Sequence, residues 1–336
     1  MIKIGLIGYG YWGPNLARNF SLNPDFELAA VCDFSADRLA RARRMHPQTR
    51  VFSSPDDFFK ADLDALAIAT PVATHYELAR RALESGRHVW LEKPMTETVA
   101  QAEELTALAL KKQRVLLVDH TFAFTGAVRK IKELVDKGQL GQLIYYDSTR
   151  VNLGLFQQDV NVLWDLAPHD ISIMDFLMPF KKLAVSATGS HFYGNGVVPK
   201  SLLAIYMEGN VVGHINVSWV SPVKIRQTLI GGTSRMILYD DTQPSEKIKV
   251  YDKGVDLDVA DKDEVYHMKV QYRVGDMYAP KLEDHEALAL EAQHFADCIM
   301  NGCTPLIGGL AGLEVVKVLV ASEQSLKNRG APVELK

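Results

Sequence analysis

Cysteine is scarce. Cys32, Cys298 and Cys303 are the only three in the chain, with no CxxC between them. An odd, sparse set of this kind argues against both a disulfide framework and a cysteine-built zinc site. Long apolar runs are missing too. No stretch approaches the roughly 18 consecutive apolar residues of a membrane span, so no membrane partner is expected. Basic blocks are absent: 37 Lys and Arg stand against 41 Asp and Glu, for a net charge of −4. Neither nucleic acid nor an anionic membrane surface is therefore an expected partner. The opening MIKIGLIGYG lacks the charged, apolar and cleavage regions of a signal peptide and reads at once as a strand. A cytoplasmic protein is the expectation. No repeat, low-complexity tract or clear flexible linker interrupts the chain.

What is present is a globular balance, 47% hydrophobic and 23% charged residues over 336 positions. At roughly 150 residues per domain this length predicts about two domains. Up to residue 120 the pattern alternates. IKIGLIG, FELAAVC, DALAIAT, HVWLE and RVLLVDH are short apolar runs, separated by amphipathic helix signals such as ADRLARARR and THYELARRALESG. That alternation predicts an α/β fold, a doubly wound parallel sheet covered on both faces. Beyond about residue 140, strand-like runs such as LIYYDSTRVNL, LLAIYME and VVGHINVSWV follow one another with little helix between them. They predict a mostly antiparallel sheet. The predicted domains are 1–120, dinucleotide-binding, and 121–336, substrate-binding and α+β.

The first strand leads into Gly8, Gly10 and Gly13, an unbroken G-x-G-x-x-G with Tyr11 and Trp12 inside it, and a helix follows. Such a turn lets backbone approach a pyrophosphate, and the helix N-terminus offers its N–H groups to the phosphates. Asp33 lies 20 residues after Gly13, at the end of the second run. A carboxylate there hydrogen-bonds the adenosine ribose and repels a 2′-phosphate. NAD is thus expected over NADP, although Arg38, close behind, would suit a phosphate. Strand carboxyl ends line the cofactor crevice in such a sheet. Thr70, Pro71 and His75 follow one such end, and Glu92, Lys93 and Pro94 another. Lys93 is placed to reach the nicotinamide end.

The glycine fingerprint, the Glu92-Lys93-Pro94 triplet and the pair Asp165-x-x-x-His169 come in an order and spacing that resembles the glucose–fructose oxidoreductase, inositol dehydrogenase and MocA (Gfo/Idh/MocA) family. The strand pattern is similar over essentially the whole chain. The resemblance implies an N-terminal Rossmann domain followed by an α+β domain with a largely open sheet. It implies homodimers or homotetramers packed through those sheets, and hydride transfer between a sugar or polyol carbon and a nicotinamide. It also implies Lys93, Asp165 and His169 as the catalytic set. YGYWGPNLARNF and VNLGLFQQDVNVLWDLAPHD resemble the bacterial branch associated with nucleotide sugars and surface polysaccharides. Two departures stand out: Asn161-Val162-Leu163-Trp164 replaces a Gly-rich run, and Pro168 replaces a Gly before the histidine. They predict a bulkier, stiffer substrate wall.

In VLWDLAPHD, Asp165 and His169 sit four apart in a segment that continues as a buried helix, ISIMDFLM. Four residues on a helix place two side chains on one face, and Pro168 fits if it lies in the first turn. The pair is then expected at the mouth of the crevice, facing Lys93. His169 would take the proton of a secondary alcohol, Lys93 would stabilise charge on the same oxygen, and Asp165 would orient a neighbouring hydroxyl or the imidazole. A catalytic zinc needs three protein ligands and a supporting shell; the resemblance implies no such site at Asp165, His169 and Asp170, so no metal is expected. His120, Arg150, Asn152 and Gln157 are candidate substrate contacts. The expectation is an NAD-dependent dehydrogenase of a sugar, nucleotide sugar or polyol. A dinucleotide-sensing regulator of the same fold, or a reductase of a non-sugar substrate, is the alternative.

Overall fold

A computed structural model describes residues 1–154, 160–191, 197–258 and 269–335. Gln157 lies outside the described residues. The chain opens with β1 (Ile2–Ile7), α1 (Gly13–Leu22), β2 (Phe26–Cys32), α2 (Ala36–Met45), β3 (Arg50–Phe52) and α3 (Pro55–Phe58). It continues with β4 (Ala65–Ile68), α4 (His75–Glu84), β5 (His88–Glu92), α5 (Val99–Lys112) and β6 (Leu116–Asp119). Then come α6 (Gly126–Asp136), β7 (Leu143–Leu153), α7 (Val162–Leu177), β8 (Lys182–Ser190), β9 (Lys200–Met207) and β10 (Val212–Ser218). The last part holds β11 (Val220–Gly232), β12 (Met236–Asp240), β13 (Ile248–Asp258), β14 (Lys269–Tyr278), α8 (Ala287–Asn301), α9 (Gly309–Lys327) and β15 (Val333–Glu334). Two compact units result, Met1–Thr125 with His285–Val320, and Gly126–Asp284 with Ala321–Lys336.

The first unit holds a six-stranded sheet in the order β3-β2-β1-β4-β5-β6, and every pairing is parallel. The strands are apolar throughout because helices cover both faces. Leu66, Ile68, Val89 and Leu91 pack into one core cluster, and Ile4, Leu6, Val31 and Trp90 into another. The strand order reverses beside β1, which lies between β2 and β4. Ligands bind outside the carboxyl ends of the strands at such a switch point. The sequence reading counted five strands here and missed β3, three residues too short to show a period. It also assigned residues 285–320 to the second domain. They pack instead in the first unit: Phe295 and Ala296 of α8 join the core with Trp90, and Gly312 of α9 lies tight against Val118 and Met95.

The second unit holds a nine-stranded sheet, β14-β13-β12-β11-β7-β10-β9-β8-β15. It is antiparallel except where β10 runs parallel to β7. Helix α7 covers one face, over β7, β9 and β10. Period-2 alternation then sorts the side chains. Tyr146, Ser148 and Arg150 are buried on the helix side, while Tyr145, Asp147 and Thr149 lie on the other.

Candidate active site

In the first unit the glycines of the fingerprint have different reasons to be there. Gly8 has φ +96°, and a Cβ on it would lie 2.4 Å from the Ala69 carbonyl oxygen. A Cβ on Gly13 would lie 2.4 Å from the oxygen of Gly8. Both are required by the protein's own backbone. At Gly10 the nearest protein atom to such a Cβ is Arg38 Nη1, at 3.7 Å. Its bareness leaves space that the protein itself does not use, which suits a phosphate. Helix α1 begins at Gly13 with no side chain capping it and no acidic residue in its first turn. Its first N–H groups therefore suit an anion. Tyr11 and Trp12 are exposed beside this turn.

Asp33 is held before any ligand arrives. Its Oδ2 accepts from the Tyr9 N–H at 2.7 Å and its Oδ1 from the Ser35 N–H at 2.8 Å. Arg38 Nη1 stands 3.5 Å from Oδ2. The carboxylate is thus pinned at the end of β2, with a half-exposed guanidinium beside it. These residues fit a dinucleotide: Gly8, Gly10 and Gly13 for the pyrophosphate, and Asp33 for a ribose.

The next two strand ends are tied together by His75. Its ring is buried between two carbonyls, Nδ1 2.9 Å from Pro94 O and Nε2 2.8 Å from Thr70 O. Burial holds this imidazole below its usual pKa. His75, expected as a cofactor contact, instead buttresses the Lys93-Pro94 segment, whose peptide bond is cis. Pro71 opens a short turn, in which Thr74 Oγ1 donates to Thr70 Oγ1 at 2.7 Å. Lys93 is half-buried, and its charge helps lower the pKa of both His75 and His120.

Glu92 is a correction. It is only 5% exposed, which is no place for a cofactor contact. Burial, followed by the charge of Asp119 beside it, raises its pKa well above its usual value. Glu291 of α8, fully buried, approaches Asp119 as well and is raised for the same reasons. Asp119 also accepts from Trp90 Nε1 at 3.3 Å and Thr121 Oγ1 at 2.6 Å. No donor reaches Glu92 Oε1 or either Glu291 oxygen among the described residues. His120, expected at the substrate, is 1% exposed. Neither of its ring nitrogens has a partner among the described residues. Burial, then Lys93, pushes its pKa down to about 3.

The second unit presents α7. Its N-cap is Asn161, whose Oδ1 accepts from the Leu163 and Trp164 N–H groups at 3.0 and 3.3 Å. Pro168 lies inside the helix, not in its first turn, so one ladder N–H is missing there. Most of this stretch is buried, yet Asp165, Leu166 and His169 stay half-exposed, one stripe of the helix at i, i+1 and i+4. Asp165 Oδ2 accepts from Trp219 Nε1 at 2.8 Å.

Asp170, the residue after His169, anchors the helix. Arg150 Nε donates to its Oδ2 at 2.6 Å and Nη2 to its Oδ1 at 3.2 Å. Ser148 Oγ donates to Oδ1 at 2.6 Å, and Tyr146 OH to the Asp170 carbonyl at 3.1 Å. Arg150 is 4% exposed. That corrects its reading as a substrate contact: it holds α7 against β7. Asn152, two residues on, is half-buried near the end of the strand. Among the described residues no group of three or more His, Cys, Asp or Glu could hold a metal ion.

Comparison with known proteins agrees with this geometry. Residues 2–120 match the oxidoreductase family with an NAD-binding Rossmann fold, and residues 128–237 match the GFO/IDH/MocA C-terminal domain. The oxidoreductase YdgJ of Escherichia coli (strain K12) is 34% identical over 201 residues, which is 56% of each chain. The scyllo-inositol 2-dehydrogenase (NAD(+)) of Bacillus subtilis (strain 168) is 24% identical over 99% of this chain and 96% of its own. The solved UDP-N-acetylglucosamine 3-dehydrogenase GnnA of Acidithiobacillus ferrooxidans has the same fold, with TM-score 0.81 and 22% identity over 98% of both chains. With both halves of its architecture matched, the chain belongs to the Gfo/Idh/MocA family of NAD-binding oxidoreductases.

Proposed function

We propose that this oxidoreductase takes NAD in preference to NADP and oxidises a secondary alcohol of a sugar, polyol or nucleotide sugar, with Lys93, Asp165 and His169 as its catalytic residues. The observation that carries the reading is the half-exposed stripe of Asp165, Leu166 and His169 on the mostly buried α7, which leaves a carboxylate and an imidazole accessible one turn apart. The names of two relatives, an inositol dehydrogenase and a nucleotide-sugar dehydrogenase, support the substrate class.

In this reading His169 takes the hydroxyl proton, which an imidazole does well near neutral pH. Lys93, as ammonium, donates to the same oxygen and stabilises the negative charge that develops on it. Asp165, fixed by the Trp219 indole, orients a neighbouring hydroxyl. Bound NAD supplies the hydride acceptor. Asp33 favours NAD because its carboxylate would repel a 2′-phosphate. The exposed Arg38 works against that preference, so Asp33→Ser should narrow the NAD preference over NADP. Dissociation constants for both cofactors would measure it.

We also propose that a second copy covers the open face of the nine-stranded sheet. Leu229, Asp147, His214 and Ala204 form one row across β11, β7, β10 and β9. Leu229, Leu202 and Tyr206 are 44%, 49% and 42% exposed on that face. Leu229→Lys should shift the mass measured by light scattering towards the monomer.

The direct test of the function is absorbance of reduced nicotinamide with a panel of inositols, free sugars, glycosides and nucleotide sugars. Turnover of one class, lost in Lys93→Met, supports the reading. NAD binding without turnover of any class contradicts it and favours a sensor.

A further inference from the structure

We propose that Cys298 and Cys303 are a redox-active dithiol that a peroxide closes to an intrachain disulfide. Their spacing gives no sign of it. Helix α8 runs to Asn301, and Gly302 ends it in the left-handed conformation, φ 69°. That C-terminal turn folds the chain back and brings Cys303 Sγ to 2.9 Å from Cys298 Sγ, inside ordinary contact distance for two thiols. Both cysteines are free.

The two thiols differ in the way such a couple needs. Cys303 is exposed and meets the oxidant; Cys298 is buried beneath it. Burial, with Cys303 beside it, pushes the Cys298 thiol up to about 12, so it waits protonated. His294, one turn earlier on α8, places Nε2 3.5 Å from Cys298 Sγ and accepts the Leu306 N–H at 2.8 Å. The Leu306 N–H thereby ties the segment after Cys303 back to α8.

The chemistry balances in two steps. Cys303 thiolate attacks a peroxide oxygen and the O–O bond breaks. The sulfur becomes a sulfenic acid, and the departing hydroxide takes up the proton Cys303 shed, giving water. Cys298 sulfur then displaces the sulfenic oxygen. The S–S bond forms, the S–O bond breaks, and the Cys298 proton leaves with the oxygen as a second water. The sulfurs lose two electrons together and the peroxide gains them. A bridge with one partner at the surface is open to thiol attack and reverses readily. The sparse cysteine content therefore remains consistent: this is a reversible couple, not a framework.

The full-length protein is treated with excess hydrogen peroxide, quenched with catalase, unfolded and titrated for thiols. The three thiols of the chain should fall to one, and the tryptic peptide spanning 282–317 should become lighter by two hydrogens. Dithiothreitol should restore both. Cys32→Ser should keep the response, and Cys303→Ser should abolish it. Three thiols persisting after peroxide, or oxygen added to that peptide without loss of two hydrogens, would overturn the proposal.

Discussion

The two units bury carboxylates by opposite means. In the second, the Asp170 carboxylate meets a guanidinium and a hydroxyl at fixed distances, while a phenol holds its backbone carbonyl. In the first, Glu92, Asp119 and Glu291 lie near one another with no ion pair of that kind among the described residues. Lys93 lowers the pKa of Glu92, but burial and Asp119 outweigh it. Raised carboxyl pKa values stand where the second unit puts an arginine. The comparison teaches what each device is for. An ion pair with full hydrogen bonding fixes geometry over a wide pH range, as α7 needs if it is to hold Asp165 and His169. Buried carboxyl groups with raised pKa values make their surroundings answer to pH, here beside Lys93.

The sharpest way to break the comparison is to remove one partner of the ion pair. Asp170→Ala leaves Arg150 charged and buried, which should cost about 3–5 kcal/mol of stability. Denaturant melts would measure it. A combined Arg150→Met and Asp170→Leu replacement should recover much of the loss. If Asp170→Ala were harmless, the pair would not be what anchors α7.

The carboxyl cluster should show itself as pH dependence, and the signs differ within the first unit. Glu291 and Glu92 have folded pKa values raised above their ordinary ones. Their contribution is present at acid pH and lost as pH rises through the raised values. His120 is the reverse case. Its folded pKa is depressed from 6.5 to about 3, so its contribution is whole above pH 6.5 and lost as pH falls towards 3. Glu291→Gln should therefore flatten the alkaline limb of the stability profile, and His120→Leu the acid limb. Unchanged limbs would mean that the cluster does not titrate with folding. The smallest expected effect is at the helix end. Asn161→Ala should cost about 1 kcal/mol as a lost N-cap, with Asp165 and His169 still in place.

Much of the fold was legible because it follows from period and punctuation. Continuous apolar runs between amphipathic helices specify a parallel sheet. The glycines at 8, 10 and 13, with Asp33 after the second strand, mark a turn that fits a dinucleotide. The misses share a physical cause: they depend on contacts between residues distant in sequence. Arg150 is a charged residue in a polar-looking strand, and only the pairing with Asp170 turns it inward. Glu92 stands next to Lys93, yet Glu92 closes the buried strand β5 while Lys93 lies just past its end and is half-buried. His120 follows a buried strand and stays buried. Glu291 sits in a helix whose membership of the first unit has no local signal. Cys298 and Cys303 are joined by a glycine turn, which spacing alone does not reveal.

In the proposed mechanism Lys93 and His169 perform chemistry and do not merely hold the fold. The measurement that tests it most directly is steady-state turnover of Lys93→Met and His169→Asn, set beside their dissociation constants for NAD. The account predicts turnover reduced by about 10²-fold or more, the usual contribution of a general base, with NAD affinity within a few-fold of the parent. Turnover near the parental value in either variant, or loss of NAD binding in a folded protein, would contradict it.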